Sequence, residues 1–222
     1  MKRLNFLITA CSMVFVLLQI GNTAFADHRG RRVEVTITNI TRAQIFSAPV
    51  VISHSKDFEL FTLGQPASQP LYALAEDGLT DPLTAHLDSL PSVHDYAVAA
   101  GPVMPGASVT LEVATLGPFR FISAAGMLVS TNDAFFALRD ARIASSGKVM
   151  VDTQAYDAGS EANSESCAFI PGPPCGNGGV RDTGDAEGYV HSHAGIHGIG
   201  DLDASLHDWR NPVAQITIRP VR

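Results

Sequence analysis

Clustered positive charge is scarce in this sequence: 15 Lys and Arg stand against 22 Asp and Glu, a formal net charge of −7. Binding to nucleic acid or to an anionic membrane face draws on clustered Lys and Arg, so both fall away as partners. The one basic run, Arg29-Gly-Arg-Arg32, is short and reads as a solvated tail. Cysteine is nearly as scarce, at three residues. A zinc site built on Cys ligands needs more. Catalytic signatures are missing too: there is no His-Glu-x-x-His, no Gly-x-Ser-x-Gly and no phosphate-cradling Gly-rich loop. Asp201-Leu-Asp203 lacks the central Gly and terminal Glu of an EF-hand loop. The residues point to no recognised catalytic machinery, and we read the chain as non-enzymatic.

What is present begins with a targeting segment. Lys2 and Arg3 precede an apolar core from Leu4 to Ile20, and Ala24-Phe-Ala26 has the small-x-small form of a cleavage site. One rival is a transmembrane anchor, but the break at Gly21-Asn-Thr23 favours removal. Another is a lipoprotein, since Ile8-Thr-Ala-Cys11 fits a lipobox, yet only Leu4–Ala10 would precede it. Residues 1–26 are thus a signal peptide and 27–222 one exported domain, secreted or periplasmic, with no integral membrane segment after cleavage. Two cysteines remain, Cys167 and Cys175, in a Gly/Pro-rich loop. In an exported chain such a pair forms a disulfide, worth roughly 2.5 kcal/mol in the chain-entropy picture.

Strand patterns dominate the mature chain. Val33 to Asn39 and Val213 to Arg219 alternate apolar and polar residues with period two, as does Ser108 to Val113. Ala43 to Ser53 reads as one strand, Phe119 to Val129 as a central one, and Val149 to Tyr156 as another. Leu71, Leu74 and Ala75, then Leu83, Leu87 and Leu90, recur at helical spacing, giving two short helices divided by Asp77-Gly78. The expected fold is all-β, an antiparallel β-sandwich with these helices capping one end. Val35, Ile37, Leu111, Val113, Ile216 and Ile218 should face one interior.

Two acidic turns stand out. One lies in Gly126-Met-Leu-Val-Ser-Thr-Asn-Asp133 and the other in Ala155-Tyr-Asp-Ala-Gly-Ser-Glu161. A hairpin-like return would bring Asp133, Asp157 and Glu161 together, loop carboxylates of the kind Ca²⁺ requires. The competing reading is that Asn132-Asp133 and Asp157-Ala-Gly159 are turn formers only. The stretches Met127-Leu-Val-Ser-Thr-Asn-Asp-Ala-Phe135 and Tyr156-Asp-Ala-Gly-Ser-Glu-Ala-Asn163 resemble the two marks of the spondin N-terminal domain, found in F-spondin and mindin. The resemblance covers roughly residues 33–219, specifically at the two turns and loosely elsewhere. It implies a C2-like sandwich and an extracellular adhesion role, although no adhesive repeat follows here and Glu161 stands where the family has Asp.

Four of the eight histidines crowd Glu187 to His207. On a strand, His191 and His193 would share a face, and His197 follows a Gly-bearing turn. These three could hold a transition metal through imidazole nitrogens, or the segment could serve turn geometry alone. The sequence therefore predicts an exported, non-catalytic binding module with a structural calcium, its partner an extracellular protein or glycan. The alternative is a metal-dependent, redox-type enzyme using His191, His193 and His197.

Overall fold

The computed structural model describes residues 30–221. The segment read as a signal peptide, residues 1–26, lies outside them. Along the chain run β1 (Arg31–Asn39), β2 (Val50–His54), α1 (Gln69–Asp77), α2 (Asp81–Asp88), β3 (Val93–Val98), β4 (Ser108–Thr115), β5 (Phe121–Met127), β6 (Ala134–Arg142), β7 (Val149–Thr153), β8 (Ala155–Asp157), β9 (His191–Ser192), α3 (Ala204–His207) and β10 (Ala214–Pro220). They build two antiparallel sheets, ordered β4-β1-β10-β7 and β3-β2-β5-β6-β8-β9. The protein is an all-β sandwich. No helix among the described residues is long and apolar enough to cross a membrane.

The alternating strands do what their pattern requires. In β1, Val33, Val35 and Ile37 point inward, while Thr36 and Thr38 turn out and bond Thr110 and Ser108 across the sheet at 2.8 Å. Val35, Ile37, Val113, Ile216 and Ile218 are buried in the core between the sheets, and Leu111 packs partly buried against them. Phe46 and Phe136 meet there at 4.5 Å between ring centroids.

The second sheet is different, because both of its faces are covered. Val51, Ala124 and Phe136 point toward the first sheet. Their neighbours Val50, Ile52, Ala125, Phe135 and Ala137 point the other way, onto Leu71, Leu74, Ala75, Leu83 and Leu87 of the helices. Every residue of β2 is therefore buried, and so is nearly all of β5. Such strands read as continuous apolar runs, since neither face meets water. Here the helices differ from expectation. They form a layer over the outer face of the six-stranded sheet and do not cap an end of the sandwich, because that face carries apolar residues of its own.

Two strand readings are also corrected. Val149 to Tyr156 is not one strand: β7 pairs with β10 in the first sheet and β8 with β6 in the second, the chain crossing at Gln154. Only Val50–His54 of the Ala43–Ser53 stretch is a strand, with Phe46 making isolated bridges to Val103 and Leu128. Pro49 sits just before β2, where its missing N–H leaves no ladder bond unmade.

His54 ends β2 fully buried, its Nδ1 2.7 Å from the Ser55 carbonyl oxygen and its Nε2 2.9 Å from Ser123 Oγ. The carbonyl can only accept, so Nδ1 carries the proton and Nε2 accepts from the serine. Burial, the largest influence, holds its pKa below 6.5, against the opposing pull of Ser55 and Asp140. A depressed histidine stabilises the fold above pH 6.5 and withdraws that stability as pH falls toward the folded-state value. In an NMR titration the His54 ring should take up its proton below the 6.5 of an unperturbed imidazole.

Candidate metal centre

The first acidic turn joins β5 to β6 and is buried throughout, from Ser130 to Asp133. Thr131 closes it, its Oγ1 donating to the Leu128 carbonyl at 2.6 Å and accepting from Ala134 N–H at 3.0 Å. The pairing of β6 with β8 sets Ala134 opposite Asp157, and Ala158 N–H donates to the Asp133 carbonyl at 3.2 Å. The two acidic turns therefore meet, as the sequence pattern predicts. Asp133 Oδ2 accepts from the backbone N–H of Ser160 (2.7 Å) and Glu161 (3.0 Å) and from Ser160 Oγ (3.1 Å). Its Oδ1 is buried without a hydrogen-bond partner. Burial, and next the Asp157 charge, push the Asp133 pKa well above the usual carboxylate range.

Asp157 is equally buried. Its Oδ1 accepts from Gly159 N–H at 2.7 Å and its Oδ2 from Asn163 Nδ2 at 2.5 Å, leaving each oxygen a second lone pair. Burial raises its pKa, with Asn163 and His191 opposing. Antiparallel pairing of β8 with β9 places His191 directly across from Asp157. His191 Nε2 lies 3.6 Å from Asp157 Oδ1 and 3.8 Å from Glu187 Oε1. Among the described residues, the group of three that could share an ion is Asp157, Glu187 and His191, its ligand atoms all within 4.8 Å of one another.

The other predicted residues are placed as follows. Glu161 is fully buried, yet its Oε1 faces Arg181 Nε at 3.3 Å and its carboxylate does not join the three-residue group. Arg181 simultaneously holds Glu76 at 2.5 Å and Asp77, tying the long loop after β8 to α1. A built-in cation thus already answers Glu161, whose pKa burial nonetheless raises to about 7. His193 lies against Trp209, with its Nε2 buried, unpartnered and 3.9 Å from Asp157 Oδ2. Burial, then His191 and His197, lower its pKa to about 3. His197 is exposed and does not join the group either; its backbone N–H goes to Glu165. Cys167 and Cys175 form the predicted disulfide, with Cα atoms 4.8 Å apart.

Sequence reading missed Glu187 and Glu165. Glu187 opens the histidine segment but matches no motif. Glu165 gives no pattern at all in its Ser/Asn/Glu-rich loop, yet it is buried, has φ of 54°, and accepts from His197, Gly198 and Ile199 N–H at 2.5, 2.7 and 3.0 Å. Gly159 was legible as a turn former, and the structure adds a second demand. Its φ is 72°, and a Cβ there would sit 2.3 Å from the Tyr189 carbonyl oxygen. Gly159→Ala should therefore pry the Asp157 turn from the strand that carries His191, at a cost of about 2 kcal/mol by urea denaturation. A loss below a few tenths would show that the two segments are not clamped there.

Chemically, the arrangement offers two neighbouring cation-binding faces that share Asp157: an oxygen-only face with Asp133, and a mixed face with His191 and Glu187. No protein-family model matches this chain, and no curated protein does either.

Proposed function

We propose that this chain is an exported, non-catalytic binding module of the spondin type, whose loop end is pinned by a divalent cation, Ca²⁺, at Asp133 and Asp157. The partner is an extracellular protein or glycan that meets the loops this ion orders. One observation carries the reading: Asp133 and Asp157 are both fully buried and adjacent, and among the described residues no Lys or Arg pairs with either. Neighbouring buried carboxylates must share a proton or bind a cation, since two bare charges repel and lack solvent. The oxygen-only face suits a hard ion, with carbonyls and water completing six to eight ligands. Glu161, already facing Arg181, is outside this ligand set.

Melting curves test this. A free Ca²⁺ level about a hundred times the dissociation constant stabilises the folded state by about 2.7 kcal/mol, a rise on the order of 5 °C over EDTA. In Asp133→Asn the amide oxygen can still accept from Ser160 and Glu161 N–H, so the fold should persist while the Ca²⁺ increment vanishes. Identical wild-type curves in millimolar Ca²⁺ and in EDTA would remove the ion from this account.

A further inference from the structure

The hydrogen-bond partners of the histidines decide which of them can ligate. His191 Nδ1 is 3.1 Å from the Ser192 carbonyl oxygen, which can only accept. Nδ1 therefore bears the ring proton, and Nε2 presents a bare lone pair toward Asp157 and Glu187. A metal-ligating imidazole commonly has this form, its other N–H held by a backbone carbonyl. His193 is set the opposite way. Gly195 N–H donates to its Nδ1 at 2.9 Å, so Nδ1 is bare and Nε2 carries the proton. Gly195 holds φ of 97° with Asp208 packed where a Cβ would go, which fixes that N–H in place. Ligation through His193 Nε2 would force a proton onto Nδ1, against the Gly195 N–H. His193 is thus a donor beside the site and not a ligand.

The spacing agrees. Two ligands each about 2.0–2.2 Å from a tetrahedral ion stand about 3.4 Å apart. His191 Nε2 is 3.6 Å from Asp157 Oδ1 and 3.8 Å from Glu187 Oε1, too far for hydrogen bonds and close to that tetrahedral edge. Two further atoms lack a partner here: His191 Nε2 itself, and His193 Nε2 on a side chain only 2 % exposed, 3.9 Å from Asp157 Oδ2.

We infer that Asp157, Glu187 and His191 form a second cation site, selective for a borderline metal of the zinc class, with His193 packed beside it and outside the ligand set. One imidazole and two carboxylates fill three positions of a tetrahedron. The fourth lies toward the half-buried His191 and Glu187 side chains, 29 % and 30 % exposed, although His191 Nε2 itself is buried. It is open to water or to a carboxylate of a partner. The site does not depend on calcium at Asp133.

Equilibrium dialysis of the exported full chain, without a polyhistidine tag, against Zn²⁺ tests the inference. One equivalent should bind. His191→Ala should weaken Zn²⁺ at least a hundred-fold while leaving the Ca²⁺ melting increment intact, and Asp133→Asn should do the reverse. His193→Gln, with circular dichroism as the check on folding, should weaken Zn²⁺ no more than about tenfold, the lower end of what outer-shell partners contribute. No stoichiometric Zn²⁺ in the wild type, or undiminished Zn²⁺ in His191→Ala, overturns the site. Equal losses for His193→Gln and His191→Ala overturn the ligand assignment. Loss of the Ca²⁺ increment alone leaves this site standing and removes only the calcium reading.

Discussion

Arg181→Met is expected to destabilise the domain by about 3 kcal/mol, the low end of the range for stripping the partner from buried charge. Arg181 is 26 % exposed, so part of its interaction is screened, but Glu161 opposite it is wholly buried, and Glu76 and Asp77 are 14 % and 13 % exposed. The low end therefore applies. Methionine keeps the apolar stem and removes the charge, leaving Glu76 and Asp77 without their cation and pushing Glu161, already raised to about 7, further toward its neutral form. Arg181→Lys should recover only part of the loss, because one ammonium cannot contact Glu76 through Nε and Asp77 through a second nitrogen. Adding Glu161→Gln to Arg181→Met should recover part of it by another route, replacing the carboxyl that has least access to water by a neutral amide. Urea midpoints with unchanged slope measure all three. An Arg181→Met midpoint within experimental error of wild type would mean that the loop is not strapped to α1 through this side chain.

Glu165→Ala should cost a similar amount, about 3 kcal/mol, through a different mechanism. Three backbone donors, His197, Gly198 and Ile199 N–H, converge on its carboxylate, and Asn132 Oδ1 accepts from its own N–H at 3.3 Å. Hydrogen bonds to a charged acceptor are each worth about 1.5–3 kcal/mol, part of which is regained when the freed N–H groups reach water. Alanine would also have to hold a φ of 54° with no carboxylate to justify it. The Gly-rich loop from Gly195 to Gly200 should then open, and the amides of residues 197–199 should exchange roughly a hundred-fold faster by hydrogen-exchange mass spectrometry. Glu165→Gln keeps one acceptor oxygen and turns an NH₂ toward the remaining donors, so it should fall between wild type and alanine. Unchanged exchange in Glu165→Ala would show that the loop is held by its own backbone alone.

The fold was legible where one strand face meets water. The period-two alternation of β1, β4 and β10 marks inward and outward residues directly, and those residues are found where the pattern puts them. The runs at β2 and β5 announced burial but not its cause, because a strand covered on both faces loses the alternation that says which neighbour lies where. That is why the helices could be read from their own spacing while their position over the six-stranded sheet could not. The break at Gln154 left no mark either, since a strand that changes sheets keeps its extended backbone on both sides of the crossing.

The candidate site divides along the same line. By itself the sequence determined the disulfide pair, the two acidic turns that meet through the pairing of β6 with β8, and the chemistry available in the histidine segment. Only the tertiary structure decided the partners. Pairing of β8 with β9 set His191 across from Asp157, the strap from α1 turned Arg181 onto Glu161, and single backbone groups at Ser192 and Gly195 fixed opposite protonation in two neighbouring histidines. A sequence states which donors and acceptors a segment owns. Which lone pair stays free depends on the backbone group that folding brings to the other side of the ring, and that group can come from anywhere in the chain.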